Sequence, residues 1–281
     1  MPHPPAPFIP LFDDQTGPNA LPAEWHAAYS AWPLPEPTDQ PYTYVNFVMS
    51  HDGRVSFNLP GRMGGGDVSR RNPNDRWLMG LLRARADAVL VGASGVAWAG
   101  NHVWTPEAVA PEDAADWQAL RKAEGRQPTP LQVVVTRSGE MGDVAAPIFS
   151  TPGLRVLLAT TERGREKAGK LIELAPTLEV YVQGPDLDLA QLLRDLRTEY
   201  GVRTLLSEAG PQVYGSLQQA SLVNDEFVTL SPILIGNTAA AQRPSLIEGV
   251  AFSADNPPQS RLLSVHRADS FLFLHGRYRE A

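Results

Sequence analysis

Residues 204–216 constrain the fold more than any other stretch, because they read as a strand, a tight turn and a helix in succession. The run 204–206 is typical of a buried strand, and Glu208 stands just beyond it. Gly210 then introduces Pro211, which suits the first position of a helix. Ligands of open α/β sheets bind at the carboxyl ends of such strands, so the stretch predicts a ligand site beside Glu208. Taken alone, it also fits an ordinary strand–helix connection with a solvent-facing Glu.

A second strand of this kind, at residues 88–91, ends in a turn of four small residues, Gly92, Ala93, Ser94 and Gly95. Two such turns at the end of a sheet are typical of the two halves of a nucleotide crevice. A third strand, at 131–136, is followed by Arg137 and Ser138, whose guanidinium and hydroxyl groups suit a phosphate. Without a ligand, the same residues would form a plain surface turn.

The rest of the chain continues the alternation of strand and helix patterns. Further strands are predicted at 42–49, 154–160, 178–182, 225–230 and 232–236. Asn72 and Pro73 predict the start of a helix that reaches about residue 86. The runs 262–267 and 270–278 alternate and lie close together, which predicts an antiparallel pair.

These patterns predict an α/β fold with a mostly parallel central sheet, helices on both faces and an antiparallel C-terminal strand pair. We expect one domain at residues 42–281, because no change of composition divides it. Residues 1–41 are rich in proline and predict an extended arm, with a short helix near residues 23–32.

Composition excludes several classes of function. The net charge is −7 with no block of Lys or Arg, so we expect no binding to nucleic acid. No apolar run approaches the ~18 residues that span a bilayer, and the N-terminus lacks the pattern of a secretory signal. Cysteine is absent and no metal-ligand motif occurs. A cytoplasmic protein without membrane contact or bound metal is therefore predicted.

Four motifs follow one another in a fixed order along the chain. They are Ser50-His51-Asp52-Gly53-Arg54, Leu81-Leu82-Arg83-Ala84 before the strand at 88–91, Glu208-Ala209-Gly210-Pro211, and Ser231-Pro232-Ile233-Leu234-Ile235-Gly236. Together they resemble the reductase domain of the bifunctional riboflavin-biosynthesis deaminase–reductases, which has a dihydrofolate-reductase-like fold. The resemblance covers residues 42–278. No counterpart of the deaminase domain stands in this sequence, so a stand-alone reductase is expected.

The resemblance implies an NADPH-dependent enzyme that reduces the ribosyl group of an aminopyrimidine ribosyl phosphate to ribityl, by hydride transfer to C1′. It implies that the cofactor contacts three groups of residues. They are Gly92, Ala93, Ser94 and Gly95; Thr136, Arg137 and Ser138; and Gly210, Pro211, Gln212, Val213, Gly215 and Ser216. Ser50 would lie against the nicotinamide, with Ser69 nearby.

For the substrate, the resemblance assigns Arg83 to the ribose phosphate and Glu208 to the amino groups of the pyrimidine. Asp52 would lie between the two ligands, and Asp52 and Glu208 are the candidate catalytic residues. A guanidinium suits a phosphate through bidentate hydrogen bonds, and a carboxylate suits N–H donors. The family resemblance also implies a homodimer.

The sequence departs from the family pattern after Gly95. The family's Asp and second phosphate-binding Arg are replaced at residues 99–106, where His102 stands, and Arg62, Arg70 or Arg71 are further candidates for that role. This departure keeps two alternatives open. One is an NADPH oxidoreductase of the same fold that acts on another pterin-like or carbonyl substrate. The other is a nucleotide-binding protein without turnover.

Overall fold

Strands and helices alternate along the chain, as the apolar runs predict. A computed structural model describes residues 2–141, 146–175 and 177–278. The strands are β1 (Ile9–Asp13), β2 (Tyr42–Ser50), β3 (Ala88–Gly92), β4 (Leu131–Thr136), β5 (Val156–Thr161), β6 (Leu178–Gln183), β7 (Thr204–Ser207), β8 (Asp225–Ser231), β9 (Ser260–Ala268) and β10 (Phe271–Tyr278).

The helices are mostly short, and most of them follow a strand. They are α1 (Ala23–Ala28), α2 (Gly65–Val68), α3 (Pro73–Ala84), α4 (Ala93–Trp98), α5 (Pro106–Val109), α6 (Ala114–Ala123), α7 (Pro147–Ser150), α8 (Glu162–Lys167), α9 (Gly169–Leu174), α10 (Leu189–Thr198) and α11 (Pro211–Gln219), with one 3₁₀ turn at Pro111–Asp113. Among the described residues, no helix has the length and apolar character that crossing a bilayer requires.

In the described part of the chain the strands form one ten-stranded sheet in the order β1-β9-β10-β8-β2-β7-β3-β4-β5-β6. The strands from β8 to β6 in that order run parallel. β10 is antiparallel to both β8 and β9, and β1 adds an antiparallel strand beside β9. The predicted fold class, including the antiparallel C-terminal pair, is confirmed.

Alternate residues of β3 show how the sheet separates two apolar layers. Val89 and Val91 pack in a cluster that includes residues of α3, α6 and the N-terminal arm. Ala88 and Leu90 pack in a second cluster that includes residues of α10 and α11. Because successive side chains of a strand point to opposite faces, a strand buried on both sides is apolar throughout. Helices therefore cover both faces of the sheet, as predicted.

Helix α3 begins where the sequence predicts. Asn72 Oδ1 accepts a hydrogen bond of 3.0 Å from the backbone N–H of Asp75, and Pro73 occupies the first helical position. The helix ends at Ala84, and the buried guanidinium of Arg121 covers its C-terminus. Arg121 Nη1 donates to the carbonyls of three residues there, Arg83, Ala84 and Ala86. Both ends of α3 are thus fixed by side chains.

The N-terminal arm is packed against the rest of the protein. Trp25 of α1 packs against the rings of Trp77 and Trp117, with centroid distances of 6.2 and 5.1 Å. Asn74 of α3 forms two hydrogen bonds with the backbone of Ala6, at 3.2 and 2.7 Å. The arm also contains β1, which the proline-rich sequence did not predict. The predicted short helix is present as α1.

Candidate functional site

Five neighbouring parallel strands, β8, β2, β7, β3 and β4, end side by side. We call their carboxyl ends the carboxyl edge. The register pairs Leu90 with Ser207, so Glu208 lies just beyond the end of β7, next to Gly92 at the end of the adjacent strand β3. The backbone N–H of Glu208 donates to the carbonyl of Leu90 at 2.9 Å. The two glycine corners predicted from the sequence therefore lie next to each other.

Arg83 and Glu208 form a buried ion pair at this edge. Nε of Arg83 donates to Oε1 of Glu208 at 3.0 Å, and Nη2 donates to Oε2 at 2.6 Å. Their side chains are 1% and 9% exposed. The paired geometry fixes the carboxylate in one orientation, and water screens such a buried pair little. The structure thus brings the two predicted substrate residues together, and they bind each other.

His102 is the third side chain of this cluster, on the far side of Arg83. Its Nε2 lies 3.0 Å from Nη1 of Arg83, which also donates to the carbonyl of Thr105 at 3.1 Å. Burial, together with the positive charge of Arg83, lowers the pKa of His102 to about 3. His102 is therefore neutral at physiological pH. The sequence named it among the candidates to replace the family's second Arg, but gave no sign of its contact with Arg83.

Asp52 holds a turn at the end of β2. Its carboxylate accepts hydrogen bonds from Ser50 Oγ at 2.6 Å and from the backbone N–H groups of Ile235 and Gly236 at 3.0 and 2.6 Å. Burial acts to raise its pKa, but these hydrogen bonds outweigh burial and lower the pKa of Asp52 to about 2. The side chain joins the first and last of the four sequence motifs.

These contacts also explain why the predicted strand at 232–236 is wrong. The segment is irregular, and the N–H groups of Ile235 and Gly236 bond to a carboxylate and not to a neighbouring strand. Gly236 has a φ of +70°, which glycine adopts easily and which ends extended pairing. The strand was predicted because the motif contains a run of apolar residues, which is also typical of a buried strand.

Ser50 and Ser69 are both buried, at 0% and 1% exposure. The hydroxyl of Ser50 is held by Asp52, and it accepts a 3.0 Å bond from the backbone N–H of Arg54. Ser69 Oγ makes a long 3.4 Å contact to the carbonyl of Gly66, and it also lies beside the carboxyl group of Asp75. The contact of either serine with a nicotinamide stays a prediction.

The turns predicted to hold the cofactor are helix starts. α4 begins at Ala93 directly after β3, so the predicted loop at 92–95 is the first turn of a helix, and α11 begins at Pro211. Gly92 and Gly210 precede the two helices without any side-chain cap. A Cβ added to Gly210 would meet no atom within 4 Å. The first turn of α11 is therefore open to a ligand that accepts hydrogen bonds.

Gly215 has a different reason to be glycine. A Cβ at this position would lie 2.6 Å from the carbonyl oxygen of Glu248, so the segment that contains Glu248 packs directly on α11. Ser216 donates to the carbonyl of Gln212 at 3.0 Å. Gly215 therefore lets the backbone at Glu248 approach α11 closely. The contacts of Gly215 and Ser216 with the cofactor stay predictions.

At the end of β4, Thr136 is hydrogen-bonded within the fold, and the next two residues are exposed. Thr136 Oγ1 accepts from the backbone N–H of Gly139 at 3.1 Å, and its carbonyl accepts from Thr160 Oγ1 at 2.7 Å. Arg137 and Ser138 extend into solvent at the carboxyl edge. In the part of the chain that the structure covers, His, Asp and Glu side chains form no cluster of three or more that could hold a metal ion.

A mostly parallel sheet with two glycine corners beside a buried carboxylate fits the dihydrofolate-reductase-like oxidoreductases. The chain belongs to the RibD C-terminal domain family, which matches residues 41–272. The family resemblance seen in the sequence motifs is thus confirmed, and the chain is an oxidoreductase of the pyrimidine-reductase type. The arm before residue 41 lies outside the matched region.

A curated relative has the same enzyme class. The chain is 29% identical over 219 residues to the 2,5-diamino-6-ribosylamino-4(3H)-pyrimidinone 5′-phosphate reductase of Archaeoglobus fulgidus. The match covers 76% of this chain and 89% of the relative.

Solved structures share the fold. A pyrimidine reductase-like protein of Corynebacterium diphtheriae superposes with a TM-score of 0.66 at 20% identity, covering 86% of this chain and 93% of that one. The riboflavin biosynthesis reductase Rib7 of Saccharomyces cerevisiae superposes with a TM-score of 0.58 at 17% identity, covering 88% and 93%. At these identities the likeness establishes the fold.

Proposed function

We propose that the chain is an NADPH-dependent reductase that converts the ribosyl group of a phosphorylated aminopyrimidine to ribityl, as a step of riboflavin biosynthesis. The observation that carries the proposal is the Glu208 carboxylate, which Arg83 holds in one orientation beside two adjacent glycine corners. The name of the Archaeoglobus fulgidus relative, a pyrimidinone 5′-phosphate reductase, supports this substrate class.

The residues at the carboxyl edge fit a dinucleotide. In the first turn of α11, Pro211 has no N–H and Val213 donates to Gly210, so the backbone N–H of Gln212 is the one offered to a pyrophosphate. The exposed Arg137 and Ser138 offer donors to a phosphate. We assign the cofactor to these residues and to the start of α4 after Gly92. When bound, NADPH would supply the hydride, and the protein would align the two rings at reacting distance.

Glu208 is proposed to bind the amino groups of the pyrimidine. Arg83 uses one lone pair on each carboxylate oxygen, which leaves a second lone pair on each for N–H donors of the substrate. Such charged hydrogen bonds contribute about 1.5–3 kcal/mol each. Asp52 lies at the neighbouring strand end and is proposed to shape the space between the two ligands. The contact of Arg83 with the ribose phosphate also stays a prediction, and it would require part of this ion pair to open.

The test is the loss of NADPH absorbance when the purified protein is mixed with the phosphorylated ribosylaminopyrimidine. We expect turnover by the wild-type chain. Glu208→Gln should lower kcat/KM roughly 10- to 100-fold, because the amide presents a donor where the substrate needs an acceptor. Glu166→Gln, on the exposed surface of α8, serves as the control and should behave as the wild type.

Three outcomes would contradict the proposal in different ways. Turnover of another carbonyl or pterin-like compound, with none of the pyrimidine, would place the protein among related reductases. Binding of NADPH without turnover of any substrate would indicate a binding protein. No increase in melting temperature at millimolar NADPH would remove the cofactor assignment.

We further propose that the protein is a homodimer in the cytoplasm. The assembly is a property expected of the family, and light scattering of the purified chain tests it. A mass equal to that of one chain across a tenfold range of concentration would contradict the dimer. Fractionation of the source cells tests the location.

A further inference from the structure

The guanidinium of Arg83 has little capacity left for a phosphate. Nε and one N–H of Nη2 bond to Glu208, while Nη1 bonds to His102 and to the carbonyl of Thr105. A single N–H of Nη2 has no partner among the described residues. Bidentate binding of a phosphate needs two N–H groups on one edge of the guanidinium, and burial closes the approach.

Arg83 also determines the tautomer of His102. A guanidinium can only donate, so Nε2 of His102 must be the acceptor in the 3.0 Å contact. The ring proton of the neutral imidazole is then on Nδ1. Within the described residues Nδ1 makes no hydrogen bond, and the ring is held edge-on against Trp104 at a centroid distance of 5.3 Å. His102 thus offers one fixed, neutral N–H donor.

We propose that His102 is a specificity-determining residue of the substrate site, whose Nδ1–H donates to an oxygen of the ribosyl phosphate, and that Arg83 is a positioning residue for both Glu208 and His102. The inference rests on the proposed function for the identity of the substrate. One guanidinium holds an acceptor, Glu208, on one side and a donor-bearing ring, His102, on the other. This pair matches a substrate with amino groups at one end and oxygens at the other.

The tautomer is tested by ¹⁵N NMR of the histidine rings in the full chain without ligand. The chain has six histidines, and the signal lost in His102→Asn identifies His102. We expect the Nδ1–H tautomer and no titration between about pH 8 and pH 5, because burial and Arg83 disfavour the cation. Arg83→Met removes both the positive charge and the donor to Nε2, so the pKa of His102 should rise and the Nε2–H tautomer should appear. An Nε2–H tautomer, or a cationic ring at pH 6 in the wild type, would overturn the arrangement.

The donor role is tested by kinetics with saturating NADPH. His102→Leu should raise KM for the phosphorylated pyrimidine roughly 3- to 10-fold, the effect of one lost hydrogen bond, with the affinity for NADPH unchanged. His102→Asn should recover part of this loss, because its amide nitrogen can replace Nδ1–H. His26→Leu, an exposed histidine of α1, is the matched control. An unchanged KM in His102→Leu would overturn the donor role.

A substrate without the phosphate distinguishes a positioning role of Arg83 from direct binding of the phosphate. A positioning residue acts through Glu208, so Arg83→Lys should lower kcat/KM for both the phosphorylated and the dephosphorylated compound. A loss confined to the phosphorylated compound would overturn the positioning of Glu208 by Arg83. If the wild type turns over neither compound, the proposed function and the donor role both fail, while the NMR result still reports on the contact between Arg83 and His102.

Discussion

Three carboxylates near the carboxyl edge have different surroundings, and these set their charge. Asp52 receives hydrogen bonds from backbone and Ser50, which favour the charged form. Glu208 is paired with Arg83. Asp75 lies two helical turns before Arg83 on α3, and the structure gives its carboxyl no cationic partner among the described residues. Burial raises the pKa of Asp75 to about 6; the nearby hydroxyls of Thr229 and Ser69 oppose this, and the charge of Glu208 adds to it.

Asp75 is therefore expected to destabilise the fold at neutral pH. Because its pKa is higher in the folded than in the unfolded chain, stability falls as pH rises from about 4 to about 6 and then stays level. Asp75→Asn should raise the free energy of unfolding at pH 8 by on the order of 3 kcal/mol, with no gain at pH 4. Urea unfolding at both pH values measures this. Asp186→Asn, an exposed carboxyl, is the control, and an equal gain at pH 4 and pH 8 would contradict the assignment.

Single residues also show what the sequence could predict at the site. Glycine and proline turns mark strand ends in the sequence and pointed to Glu208 and Asp52, while the family resemblance of Leu81-Leu82-Arg83-Ala84 pointed to Arg83. The pairing of Arg83 with Glu208 joins residues 125 positions apart, and no local pattern records it. The same holds for Asp52, whose N–H partners stand more than 180 positions away.

Among the elements, α3 connects the arm, the core and the site. Its first turn bonds to Ala6 through Asn74, its middle packs Trp77 on Trp25, and its last turn carries Arg83. The sequence predicted this helix well, because its Asn-Pro start and apolar spacing are local signals. β1 was missed, since all its residues are exposed and only its pairing with β9 makes it a strand.

The C-terminus of α3 is expected to depend on Arg121. Arg121→Met would remove the side-chain donor to the buried carbonyls of Ala84 and Ala86, at 3.0 and 2.8 Å. The Arg83 carbonyl would lose a 3.1 Å bond but would keep the backbone N–H of Ala86. We expect the free energy of unfolding to fall by about 3 kcal/mol or more. Arg155→Met, at an exposed ion pair with Glu179, should cost less than about 1 kcal/mol. Similar losses in the two variants would show that the Arg121 contacts contribute little.

On the scale of the whole molecule, the arm and the reductase fold share one core. Six apolar side chains of the arm pack in the same cluster as α3 and α6: Phe8, Leu21, Trp25, Tyr29, Trp32 and Leu34. Arg85 stacks on Trp32, with its guanidinium carbon 4.8 Å from the ring centroid, and donates to the carbonyl of Asn19 at 2.9 Å. Trp25 and Trp32 indicate from the sequence that part of this proline-rich arm is anchored, but no local pattern shows the extent of the contact.

Removal of residues 1–40 is therefore expected to prevent stable folding. Each large apolar side chain of the arm contributes about 1.5–3 kcal/mol by burial, so their sum rivals the ~5–15 kcal/mol that stabilises a typical domain. In the full chain, fluorescence and far-UV circular dichroism should show a single unfolding transition in urea, because the arm and the sheet unfold together. A truncation at residue 5, which keeps Phe8, is the control and should fold. A soluble chain that lacks residues 1–40 and keeps the wild-type melting temperature would show that the arm is a dispensable extension. In the full chain, a separate and earlier transition of the arm tryptophans would show the same.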